Sequence, residues 1–330
     1  MRLFALWFVL FLVLVGVPAW AVGAPLDMDK VNAAEFDGKP GPMMALKTQI
    51  LLDRNRYSPG VIDGIAGDAT EIALKAFQAD NGLEPTGKID QSSFTKLTEA
   101  HSEPVLIRYT ITGADVRGPF EEKIPEKIED MAKLKRLAFT SPRELLAERF
   151  HMDEELLTQL NPDADFAKAD TEIIVASVAH ENADKKTGEK IRAERLIVDK
   201  SERSLRVLGK DEQLIAFYPA TIGSEQTPAP DGQAKITRIA KTPTWNYNPE
   251  LELVGHKERP DEKMTIQPGP NNPVGTVWIA IDRDHYGIHG TAEPSKIGKN
   301  LSSGCVRLTN WDVEELSGFV RKGVPVLFQE

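Results

Sequence analysis

The sequence predicts a multidomain α+β protein, with a helical amino-proximal half and a β-rich, β-sandwich-like carboxyl domain that carries a C-terminal helix. Three observations predict it. Apolar residues recur at helical spacing from Met44 to Leu97 and again from Leu145 to Leu160. From Leu196 onward the pattern changes to short apolar runs divided by polar turns, the texture of strands. The chain has 330 residues, 41% hydrophobic and 27% charged, which is ordinary globular composition at a length above that of one domain.

The amino terminus is of another kind. Arg2 precedes an apolar run from Leu3 to Val17, followed by Pro18 and the small-residue sites Ala19-Trp20-Ala21 and Val22-Gly23-Ala24. This is the order of a secretory signal peptide over residues 1–24, with cleavage after Ala21 or after Ala24. The competing reading is a retained anchor, but the run stops short of the roughly 18 to 20 residues that span a bilayer. Export predicts a periplasmic or cell-wall-associated protein with no stable membrane span after cleavage. Removing residues 1–24 takes away one Arg and no acid, so the net charge moves from −10 to −11. An acidic chain of this kind is a poor nucleic-acid partner, because phosphate backbones reward basic patches.

Residues 25–41 have little periodicity, run into Pro40-Gly41-Pro42 and are expected to be a linker. A module is expected over 42–100. Its first helix carries Met44, Leu46, Ile50 and Leu51, and Pro59-Gly60 and Asp63-Gly64 mark turns. Asp68 with Glu71 three residues on predicts a capping box before Ile72, Ala73, Ala76 and Phe77, and Asp90 opens a shorter helix with Phe94 and Leu97. The stretch PGVIDGIAGDATEIALKAFQADNGLEPTGKID resembles the three-helix peptidoglycan-binding module of many wall hydrolases. Ile62, Phe77 and Leu83 are read as its core.

Over 105–180 the pattern is strand, two helices, strand. Tyr109–Thr112 and Glu172–Ala176 read as strands. Ser141-Pro142-Arg143-Glu144 combines an N-cap, Pro at the first helical position and Glu at N3, and a second helix runs from Asp153 to Asn161-Pro162. This β-α-α-β order with Leu-Asn-Pro resembles a LysM module, a small glycan-binding fold, interrupted by a charged insertion over about 114–138. Polar residues 180–192 mark the next boundary, and a third domain is expected over 190–330. There Leu196–Val198, Leu205–Leu208 and Gln213–Ile222 read as strands, the Pro- and Gly-rich residues 223–275 as a long loop, and Thr276–Ile281 and Tyr286–His289 as strands again.

Cys305 is the only cysteine of the chain, so an exported form cannot hold an internal disulfide, and the thiol is either buried and inert or chemically used. His289 lies sixteen residues upstream. A neighbouring imidazole takes a thiol proton and later returns it to a leaving amine. Gly304 lets the backbone approach a substrate carbonyl, where amides of the turn are placed to stabilise an oxyanion. One Cys and one nearby His do not form a metal-ligand set, so neither metal nor cofactor is expected.

Gly287-Ile288-His289-Gly290-Thr291 and, after a spacer, Ser302-Ser303-Gly304-Cys305-Val306-Arg307-Leu308 resemble the L,D-transpeptidases with a YkuD-type catalytic domain; Pro268–Gly275 matches as well. The resemblance implies Cys305 as the acylated nucleophile, His289 as base, and the carbonyl of Gly290 as the third member. It implies that Arg307 holds a substrate carboxylate or orients the loop. Ser302, Ser303, Gly304 and Tyr286 complete the expected substrate-binding set. Many members have His where this chain has Ser303, and a hydroxyl does not titrate near neutrality, so no second histidine role is expected there. His285 shares a strand face with His289 by its even offset but reads as an exposed strand-end residue; His101, His151, His180 and His256 read as surface. Thr309 or Asn310 is expected to cap a final helix, with Val313, Leu316 and Val320 on one face.

The implied activity is transfer of a tetrapeptide stem, cleaved after its third residue with release of D-alanine, to an amine: another stem in a 3-3 cross-link, a lipoprotein lysine or a D-amino acid. With water as acceptor the enzyme is a carboxypeptidase. A non-catalytic wall-binding scaffold is the alternative from another class. The expected partner is peptidoglycan, through both stem peptides and glycan.

Overall fold

The structure, a computed structural model, describes residues 26–178, 190–251 and 260–330. The signal-peptide stretch 1–24, His180 and His256 lie outside the described residues.

Helix α1 (Met28–Ala33) falls inside the stretch expected as a linker. Six residues are too few to reveal a helical period, yet Val31 is fully buried, and the Asn32 carboxamide pairs with the backbone of Leu106, accepting from its N–H at 2.9 Å and donating to its carbonyl at 3.0 Å. Helices α2 (Pro42–Arg54), α3 (Asp68–Asp80) and α4 (Gln91–Thr98) form the first module around Ile50, Leu51, Phe77, Phe94 and Leu97. Asp90 caps α4 by accepting from the Ser93 N–H at 2.7 Å. Asp68 does not cap α3: the N-cap is Gly67, and Asp68 and Glu71 both lie in the first turn, where their charges suit the helix dipole. Two buried glutamines tie the turns together. Gln49 accepts from the Gly64 N–H at 2.8 Å and donates to Asp63 at 2.8 Å, while Gln78 accepts from the Gly87 N–H at 2.8 Å and donates to Ser93 at 2.8 Å.

Strand β1 (Leu106–Thr110) leads to the short helix α5 (Ile128–Met131), then α6 (Pro142–Arg149), α7 (Glu154–Leu160) and β2 (Glu172–Ala176). Strands β1 and β2 pair antiparallel, Leu106 facing Ala176. Ser141 and Asp153 cap α6 and α7 as their side chains predict. These two amino-proximal units share one apolar core, in which Ile62, Met152, Leu156 and Phe77 are buried together.

The carboxyl domain is built on β3 (Arg195–Asp199), β4 (Ser204–Leu208), β5 (Leu214–Pro219), β6 (Thr221–Ile222), β7 (Gly232–Lys241), β10 (Val277–Ile281), β11 (Gly287–His289), β12 (Val306–Arg307) and β13 (Pro325–Gln329). Between β7 and β10 lies a separate ribbon of β8 (Trp245–Tyr247) and β9 (Met264–Ile266). Among the described residues the large sheet runs β5-β4-β3-β13-β7-β10-β11-β12-β6. The expected single strand Gln213–Ile222 is therefore two, β5 and β6, which sit at opposite edges with only Ala220 between them. The sheet must curl until its edges meet, giving a sandwich-like body around the buried helix α8 (Asn310–Phe319). The ten-residue β7 lies inside 223–275, the stretch expected as loop, and joins the two halves of the sheet.

All three units meet on α8. Ser58 donates to the buried Asp312 at 3.0 Å, Arg56 pairs with Glu315 at 3.2 Å, and the His151 ring stacks on Trp311 at 5.1 Å while its Nδ1 meets Asp53 at 2.8 Å. His151, expected at the surface, is enclosed by partners distant in sequence. From α6, the Glu148 carboxylate accepts from Asn310 at 3.1 Å.

Candidate active site

Side chains alternate across a sheet, so register decides which residues share a face. Trp278 pairs with Ala240 on one side and His289 on the other, and His289 pairs in parallel with Arg307. Arg238, two residues before Ala240, and Cys305, two before Arg307, fall on that same face. The intervening Ile239, Ile279, Ile288 and Val306 point the other way, into the core with Val313 and Leu316 of α8. One face of β7-β10-β11-β12 thus floors a cavity of about 630 Å³, with Cys305, His289, Arg307, Trp278 and Arg238 on it. Tyr286 and Ser303 also line it, as do Trp245 and Asn246 of the β8–β9 ribbon.

His289 is buried, and its ring stacks on Trp278 at 5.2 Å and 18°. Nδ1 lies 2.7 Å from the Gly290 carbonyl; a carbonyl only accepts, so Nδ1 carries the hydrogen and Nε2 is left as an acceptor. Burial, assisted by the adjacent Arg307 charge, lowers the imidazole pKa to about 3 against the weaker pull of that carbonyl. The Cys305 thiol is directed at the His285 carbonyl at 3.6 Å. Burial raises its pKa, although the Gly287 amide and Arg307 both favour the thiolate. At rest the proton therefore stays on sulfur, and the imidazole in the same cavity is neutral. Alkylation of Cys305 by iodoacetamide should accordingly climb with pH into the range above 9, without a plateau between pH 5 and 8. A plateau there, the mark of a preformed thiolate–imidazolium pair, would contradict this arrangement.

The glycines fit their neighbours closely. A Cβ on Gly304, at φ 97°, would sit 2.4 Å from the Tyr286 ring, and one on Gly287 2.6 Å from the Trp278 ring. One on Gly290 would sit 2.3 Å from Asn310 Oδ1. Ser302, expected at the substrate, is instead fully buried and away from the cavity lining. Its hydroxyl donates to the Cys305 carbonyl at 2.6 Å and accepts from the Gly223 N–H at 2.6 Å, so it shapes the nucleophile turn. His285 contributes its backbone carbonyl from a turn with φ 68° and lies at the cavity rim.

Residues 193–327 match the family model of the YkuD L,D-transpeptidase catalytic domain, and residues 46–97 that of a putative peptidoglycan-binding domain. Residues 193–327 are thus similar to an L,D-transpeptidase catalytic domain. The putative L,D-transpeptidase YkuD of Bacillus subtilis is 47% identical over 119 residues, covering 36% of this chain and 56% of that protein. Its counterpart in Bacillus licheniformis is 33% identical over 132 residues, covering 40% and 63%. The probable L,D-transpeptidase YbiS of Escherichia coli K12 is 27% identical over 199 residues, covering 57% and 60%. The chain thus spans less than two thirds of the length of these relatives.

The cavity and the loops behind it also hold residues that the sequence does not single out. Trp278 sits in a strand that was legible, and its tie to His289 emerges only from register. Arg238 lies in the strand missed within 223–275. Asn310 is not the helix cap, which is Thr309, accepting from the Asp312 N–H at 3.1 Å. Asn310 instead knits together the loops behind Gly290, accepting from the Thr276 N–H and donating to the Pro270 carbonyl, each at 3.1 Å.

Proposed function

We propose that the protein is an exported peptidoglycan L,D-transpeptidase with Cys305 as nucleophile and His289 as general base. The parallel pairing of β11 and β12 carries this reading, because it sets His289 beside Arg307 and Cys305 on one cavity face. In the proposed cycle, Nε2 of His289 takes the thiol proton as sulfur attacks the carbonyl of the third stem residue. The proton passes to the amine of the departing D-alanine, leaving a thioester. His289 then deprotonates the acceptor amine, which attacks the thioester and restores the thiol. Nδ1, bonded to the Gly290 carbonyl, keeps the tautomer that leaves Nε2 free. Amides of the turn at Gly304 and Cys305 are assigned to the oxyanion.

Substrate charge supports this reading. Among the described residues neither Arg238 nor Arg307 makes an ion pair, and the buried Nε of Arg307 has no hydrogen-bond partner. Two guanidiniums in one cavity favour a peptide with carboxylates, such as a stem ending in D-alanine. Its volume suits a ligand of that size. The acceptor is an amine from a second stem, a lipoprotein lysine or a D-amino acid. The module at 46–97 would tether the enzyme to the wall and raise the local concentration of stems. We read the middle unit as LysM-like on its element order and its β1–β2 pairing.

Incubation with a purified tetrapeptide stem and chromatography of the released amino acid tests the activity. D-alanine is expected from the wild type and none above background from Cys305→Ala. Equal release from both would remove Cys305 from the mechanism.

A further inference from the structure

The insertion at 114–138 has an apolar content that its own module does not use. Ile128, Met131 and Leu137 are buried in a separate cluster with Tyr247 and Ile266 of the β8–β9 ribbon, and Ile124, Leu134, Trp245 and Met264 pack around it. The ribbon pairs with no strand of the large sheet among the described residues. A lone two-stranded ribbon is marginal in water, so its support must come from outside. The insertion supplies it at a second place too. Leu137 donates its N–H to the Pro268 carbonyl at 3.0 Å and accepts from the Asn271 N–H at 3.0 Å. The Asn271 carboxamide donates to the Ala138 carbonyl at 3.0 Å and to Glu144 at 2.7 Å. Gly269 admits this docking, since a Cβ there would lie 1.9 Å from the Leu137 carbonyl oxygen.

Both supported segments reach the catalytic cavity. Trp245 and Asn246 of the ribbon, and Pro273 and Val274 just beyond the docked loop, line the same cavity as Cys305. We infer that the 114–138 insertion is the outer half of the active-site wall, and that Ile128 and Met131 are positioning residues that set peptide-substrate affinity through Trp245. This rests on the transpeptidase reading for its kinetic arm only. A peptide that spans the cavity touches both floor and wall, whereas a small alkylating reagent needs only the thiol. The middle unit thereby supports substrate binding at the catalytic cavity, through the ribbon that it holds.

The test uses the full chain carrying Ile128→Asn and Met131→Asn, with Ile128→Val as the conservative control. The double variant should raise KM for a tetrapeptide stem about tenfold with kcat little changed, since a packed aromatic wall contributes on that scale. Hydrogen exchange at residues 243–247 should quicken, while iodoacetamide alkylation of Cys305 keeps its wild-type rate. Ile128→Val should restore both KM and exchange. Unchanged exchange at 243–247 would show that the insertion does not hold the ribbon, and quickened exchange with unchanged KM would show that the wall does not bind substrate; either overturns the inference. If the double variant does not fold, Leu134→Ser, at the edge of the same cluster, is read by the same criteria. Absence of D-alanine release from the wild type would count against the transpeptidase reading alone, and the exchange arm would still decide the role of the insertion.

Discussion

Replacing His289 with alanine should slow acylation of Cys305 by on the order of 10²–10⁴-fold, the usual contribution of a positioned base, while leaving the fold intact. The size follows from the resting state of the site. With the thiol pKa raised and the imidazole held near 3, almost no thiolate exists at neutral pH, and the proton must leave sulfur during the attack. In the proposed cycle His289 takes it. Its ring lies on the cavity face rather than in the α8 core, so its loss costs a stacking contact with Trp278 and little apolar packing. Quenched-flow measurement of the acyl-enzyme, with a thermal melt beside it, checks both parts. Near-normal acylation would show that another group accepts the proton.

Stability should fall as pH rises from 6.5 to 8.5. Burial pushes the Glu148 and Asp312 carboxyls up to about 8, against the hydrogen bonds from Asn310 and from Thr309 and Ser58. Unfolded, both titrate near 4. Above that value the folded chain retains protons that the unfolded chain releases, so the stability these groups provide is lost as pH climbs towards their folded values. Each neutral carboxyl contributes a slope of up to about 1.4 kcal/mol per pH unit in that range. His151 acts in the same direction: burial lowers its pKa, but Asp53, with Asp312 and Glu315, outweighs burial and raises it. His289, with its lowered value, works in the opposite sense only below about 6.5, outside the window. The melting midpoint should drop by several degrees across the window, and Asp312→Asn should flatten the slope. A midpoint that rises between pH 6.5 and 8.5 would contradict the burial of these carboxyls at the three-way junction.

Local signals were legible where one or two residues decide the structure. Ser141, Asp153 and Asp90 cap helices because a side-chain oxygen reaches a nearby N–H, and Gly304 takes a left-handed φ of 97° just before Cys305, as a glycine there suggests. What escaped depends on partners far along the chain. Strand β7 has exposed Gln233, Lys235, Arg238 and Lys241, and a register shift opposite Ala280 and Ile281 breaks the alternation that would mark it. His151 stands among charged sequence neighbours, yet Asp53 and Trp311, from two other units, bury it. Ser302 and Ser303 are adjacent hydroxyls of identical chemistry. Only the fold separates them, by turning Ser302 towards Gly223 and leaving Ser303 at the cavity. The insertion reads as charged in sequence because its apolar residues are spaced for a cluster with the β8–β9 ribbon rather than for a helix face of its own.

The central claim is that Cys305 is acylated by a stem peptide, and the intact-protein mass spectrum tests it most directly. After incubation of the full chain with a tetrapeptide stem and an acid quench, the spectrum should show a thioester adduct equal to the stem minus D-alanine. Peptide mapping should place it on Cys305, and Cys305→Ala should show none. An unmodified wild-type protein under conditions that consume the stem, or an adduct that persists in Cys305→Ala, would contradict the claim.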